Sequence, residues 1–134
     1  MDLKWVSYAF FALSAIIHVI FFVVESFLFQ KKDGYKLFKL KPEDHSAVKI
    51  WAFNQGFYNL FLAIGMAIGL FFVHEGRREA AGLLVSFCGL SMIGAGFVLF
   101  FSAPHLRRGA YVQMVPPLLG FFFLIFHVFH LAGS

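Results

Sequence analysis

The chain has 134 residues, of which 60% are apolar and only 13% charged, and it carries a net charge of +4. A soluble domain runs about 45–50% apolar and about 25% charged, so this balance excludes an ordinary water-soluble fold and points to a membrane protein. At roughly 20 residues per span plus short loops, the length accommodates about four helices and leaves no room for a second folded domain.

The first predicted span covers residues 4–29. Lys4 before an apolar run, with Ala12-Leu13-Ser14-Ala15, resembles a cleavable signal peptide. The run stays apolar through Val24, however, beyond an h-region of about 7–15 residues, so it reads as an uncleaved helix. His18 and Glu25 lie seven apart within it, two helical turns, and are expected on one face. Glu25 is the sharper signal, because a carboxylate in a span costs about 2.5–3.5 kcal/mol unless it is near the interface, neutral or paired. Residues 30–41 interleave Lys31, Lys32, Lys36, Lys39 and Lys41 with Tyr35, Leu37, Phe38 and Leu40, a pattern expected to rest on lipid headgroups. Pro42-Glu43-Asp44 reads as a helix start.

The second span is predicted over 49–73. It carries Asn54, Gln55, Tyr58 and Asn59. Side-chain amides facing hydrocarbon leave donors and acceptors unpaired, so these residues are expected to face a bundle interior or a wet cavity. His74-Glu75-Gly76-Arg77-Arg78-Glu79 is a tight polar turn, which makes the next helix an antiparallel neighbour. The third span, 80–101, holds Gly82, Gly89, Gly94, Gly96, Ser86 and Ser91, small residues that let backbones approach, and Gly65 and Gly69 form a similar pair on the second. Cys88 has no intramolecular disulfide partner and reads as a small buried hydrophobe. The fourth span, 110–131, contains Pro116-Pro117, which predicts a kink or local unwinding, with Gln113 one turn earlier. His127 and His130 read as interfacial histidines near its exit. The whole is an all-α membrane protein, an antiparallel four-transmembrane-helix bundle forming one domain over 1–134.

Orientation follows from the cations. Lys31, Lys32, Lys36, Lys39, Lys41, Lys49, Arg107 and Arg108 fall on one side, and Lys4, Arg77 and Arg78 on the other. That bias places both chain ends outside the cytoplasm. Cations confined to short connections serve orientation and headgroup contact, so no nucleic-acid partner is assigned.

With span midpoints near residues 16, 61, 90 and 121, depth can be estimated from a rise of about 1.5 Å per residue. Glu25, Asn54, Gln55 and Gln113 then share a level roughly 9–13 Å from the midplane, while His18 and Asn59 lie within about 3 Å of it. Two tiers are expected: Glu25 with Gln55 and Gln113, and His18 with Asn59. Depth also weighs against a haem held by His18 and His127, which differ by more than about 10 Å. No metal-hydrolase, cysteine-pair or nucleotide motif occurs, so neither metal nor cofactor is assigned.

His18 with Glu25 seven later, Asn54-Gln55-Gly56-x-Tyr58-Asn59-x-x-Leu62-Ala63 and Gln113-x-x-Pro116 together resemble the domain of unknown function 1304 family of small bacterial integral membrane proteins. The chain departs from that pattern at Phe29, where a tryptophan is expected, and in its third helix, which lacks a Gly-Tyr-Gly-x-x-Thr-like stretch. The resemblance implies a four-helix protein of a bacterial inner membrane and no particular activity. The residues themselves favour a polar intramembrane pocket, formed by His18, Glu25, Asn54, Gln55, Tyr58, Asn59 and Gln113, that binds a lipid, quinone or similar amphiphile. Alternatives are a proton-coupled small-molecule transporter, a membrane-embedded enzyme and an assembly subunit. Membrane lipids and further copies of the chain are the expected partners.

Overall fold

Each of the four apolar stretches folds as one long helix in a computed structural model, which describes residues 2–29, 31 and 41–132. Helix α1 (Leu3–Val23) continues without a break into a π-helical turn over Val24–Leu28; α2 (His45–His74), α3 (Arg78–Ser102) and α4 (Arg107–Ala132) follow. All four are long and apolar enough to cross a membrane, and no strand occurs among the described residues. The basic connection lies, apart from Lys31 and Lys41, outside the described residues.

Local chemistry sets the helix ends. The Asp2 carboxylate accepts from the Lys4 backbone N–H at 3.1 Å and caps α1, a bond that holds this carboxyl below its ordinary range. A 3-10 turn over Pro42–Asp44 leads into α2, as the Pro-Glu-Asp signature suggests. At the other end of α2, Gly76 adopts a φ of 73°, a left-handed conformation that costs glycine little. The Arg77 amide reaches back to the Phe72 carbonyl at 2.9 Å and the Gly76 amide to Val73 at 3.2 Å, the paired bonds of a Schellman cap. A second 3-10 turn, Pro104–Leu106, joins α3 to α4.

The helices form a ring. Each packs on its neighbour in sequence, α4 closes against α1, and the diagonal pairs barely meet. Matched contacts show antiparallel neighbours: Ser7 Oγ donates to the Gly120 carbonyl at 2.8 Å, while Asp2 meets His127 at 3.3 Å one helix end away. Glycine supplies the close approaches. An added Cβ would collide with Phe11 at Gly120, with Met114 at Gly96, with Val85 at Gly69 and with Cys88 at Gly65. Gly65 and Gly69 are thus consumed by packing within the chain. Phe11, Met66, Val85, Cys88 and Met92 form the buried centre.

Of the kink or local unwinding expected at the proline pair, unwinding does not occur: α4 runs unbroken through Pro116 and Pro117. Both rings are buried, which lets neighbouring helices brace a segment that lacks two backbone donors. Replacing Gly120 by valine should lower stability by about 1–3 kcal/mol through overpacking against Phe11. Gly94→Ala meets open space inside α3 and should raise stability by about 0.4–1 kcal/mol. Reversible unfolding in mixed detergent micelles measures both.

Candidate functional site

Buried positions on α1 fall at Ser7, Phe11, Ser14 and His18, in steps of four and three that define one helical seam. Continued as α-helix, that seam would pass through Glu25. Instead the wider π turn admits an extra residue, and the buried positions that follow are Ser26 and Phe29. Glu25 is thereby turned onto the flank facing α2 and left half-buried. The expectation that it shares the His18 face holds only for an uninterrupted α-helix.

On α2 the buried seam is Ala52, Gly56, Asn59, Ala63, Met66 and Gly69. Gly56 receives Ser26, whose Oγ would strike any Cβ there and which donates to the Phe53 carbonyl at 3.3 Å. One turn further along, Asn59, 4% exposed, donates through Nδ2 to Glu25 Oε2 at 2.8 Å. Phe22 and Phe57 close the same interface edge-to-face at 5.0 Å between ring centres. The polar pair thus sits beside the tightest contact between α1 and α2.

The two expected tiers are recombined. Glu25 pairs with Asn59, not with Gln55 or Gln113. His18 is fully buried and bonds its own helix, Nδ1 lying 2.8 Å from the Ser14 carbonyl. A carbonyl can only accept, so Nδ1 carries the proton and Nε2 is an acceptor, without a partner among the described residues. Gln113 Nε2 donates to the Met92 carbonyl at 3.3 Å, tying α4 to α3. The pairings of residue 7 with 120 and 2 with 127 set Gln113 level with the middle of α1, about ten residues from Glu25. Arg107 bonds the Phe100 carbonyl and stacks on its ring.

Asn54, Gln55 and Tyr58 are exposed rather than turned inward, Tyr58 by 57%. Gly65 packs on Cys88 of α3, yet the residues seven positions onward from that contact on both helices, Tyr58 and Ala95, are exposed. Sequence reasoning missed Ser26, whose signal was a small residue beside Glu25 on one helix matched by a glycine one turn from Asn59 on the other. Among the described residues no cluster of three or more His, Cys, Asp or Glu could hold a metal ion.

Fold and site define a class: a ring of four span-length helices with a carboxylate and an amide joined across the first pair. A model of the family described as a protein of unknown function, DUF1304, matches residues 12–125, and the chain belongs to that family. No curated protein and no solved structure matches it.

A double-mutant cycle of Glu25→Leu and Asn59→Leu should give a coupling of about 0.6 kcal/mol and no more than about 1.7 kcal/mol, the average and the maximum measured for hydrogen bonds between membrane helices. A cycle of Glu25→Gln with Gln113→Leu should give less than about 0.5 kcal/mol, as expected for separated sites.

Proposed function

We propose that the protein is an integral membrane protein that binds the polar head of a membrane amphiphile at the Glu25–Asn59 pair. The observation that carries this reading is the state of the carboxyl group. Oε2 is taken by Asn59, Oε1 has no partner among the described residues, and the side chain is only half-buried.

Depth supports it. A hydrocarbon core of about 30 Å takes roughly 20 helical residues. Counted from Lys4 on α1, that length ends near Val24 and Glu25; counted from His74 back along α2, it ends near Asn54 and Gln55. Glu25, level with the Asn59 side chain that bonds it, therefore lies within about one turn of the boundary between headgroups and chains. A molecule whose head meets the pair can leave its chain in lipid, which neither a soluble substrate nor a fully buried apolar ligand could do.

The orientation belongs to the same proposal: the end bearing Lys31, Lys41, Lys49, Arg107 and Arg108 faces the cytoplasm of a bacterial cell, and both chain ends lie outside it. Alkaline phosphatase fused to the C-terminus should be active and green fluorescent protein dark; the reverse pattern would overturn this orientation.

Native mass spectrometry of protein extracted in mild detergent should show one retained amphiphile per chain. Its occupancy should fall at least about fivefold in Glu25→Gln, a loss of roughly 1 kcal/mol of binding. Wild-type protein that carries no amphiphile, and takes up none from lipid micelles, would rule the reading out.

A further inference from the structure

Resting on that amphiphile reading, we propose that the head bound at Glu25 and Asn59 is an ammonium group. The argument concerns which atoms remain open. Asn59 gives an N–H of its amide to Glu25 Oε2, so its Oδ1 is turned away from that bond. Oδ1 has no hydrogen-bond partner among the described residues, and neither does Glu25 Oε1. An amide oxygen accepts only, and so does an ionised carboxylate. The site thus presents two neighbouring acceptors and asks for a donor.

That requirement sorts the membrane amphiphiles. A quinone head offers carbonyl oxygens alone and would set acceptor against acceptor. A head whose only charge is a phosphate diester adds negative charge to negative charge. An alcohol can donate once, to one of the two oxygens. A primary ammonium has three donors and can serve both, and its bonds to a carboxylate are charge-assisted, roughly twice as strong as neutral ones. Among the described residues no cation pairs with Glu25. The described ion pairs involve Asp2 with Lys4 and His127, at the far end of α1, and Arg107 is engaged with Phe100. Phe22 and Phe57, on the helix turns beside the pair, add ring surface of the kind that attracts a desolvated cation.

Two sources supply this chemistry, the ethanolamine head of a phospholipid and a free long-chain amine. Purified full-length protein in maltoside detergent is titrated with dodecylamine and, separately, with dodecanol, each followed by native mass spectrometry. Wild type should bind the amine at least about tenfold tighter than the alcohol. Glu25→Gln should abolish that preference, and Glu25→Asp, which keeps the charge, should retain part of it. Helical circular dichroism and elution volume confirm that each variant is folded. Competition by phosphatidylethanolamine, but not by phosphatidylglycerol, assigns the site to a lipid head; amine binding indifferent to both lipids assigns it to a free amine.

Equal binding of amine and alcohol, or a preference that survives Glu25→Gln, would overturn the ammonium assignment and leave the amphiphile reading standing. Binding of neither probe, with no retained lipid, would defeat both.

Discussion

The approach of Ser26 to Gly56 is the constraint on which the rest of this arrangement depends. A side chain of any size at position 56 would strike the Ser26 hydroxyl, so the two helices can close here only because one residue is small and the other has none. In lipid the apolar faces of helices gain little by leaving one chemical environment for another, and contact between backbones becomes a main source of association. Once Ser26 occupies the seam, Glu25 cannot. The π turn accommodates that choice by widening α1 for one turn, and the carboxylate emerges against Asn59.

The energetics of the pair argue that packing alone does not account for it. A hydrogen bond between membrane helices contributes about 0.6 kcal/mol on average, against about 2.5–3.5 kcal/mol for a carboxylate at the centre of a span. Moving Glu25 toward the boundary reduces the second figure without removing it. Leucine at both positions would close the interface with no polar group to desolvate. A π turn, where it occurs inside a helix, is frequently found at a functional site, and here it is the device that turns the carboxylate partly outward.

The fold was legible from the sequence because it follows from composition and hydropathy, which depend on long averages. Four apolar stretches, the Gly76 turn and the Pro42 helix start all announce themselves locally. The pairings were not legible, because they depend on register. Depth reckoned from the midpoints of apolar runs assumes that each helix is centred independently in the bilayer, whereas the helices slide until a small residue admits its neighbour: Gly56 admits Ser26, Gly120 admits Ser7 and Gly96 admits Met114. A shift of one turn exchanges Gln55 for Asn59 as the partner of Glu25. The face of Glu25 was misread for a related reason, since seven residues make two turns only where the helix keeps its α geometry.

The outward amides of α2 then lose their apparent conflict with a lipid environment. At 30 residues α2 is about 45 Å long, well beyond the hydrocarbon thickness, so its first turns must project past it. At the depth proposed above, Asn54 and Gln55 fall where the core ends, within reach of headgroups and water, and can be satisfied there without a protein partner. Asn59 is one turn deeper and has no such recourse; it is also the one amide of the three that the seam turns inward. Depth and facing therefore agree residue by residue, and they leave the Glu25–Asn59 pair as the point at which the polar surface of α2 enters the bundle.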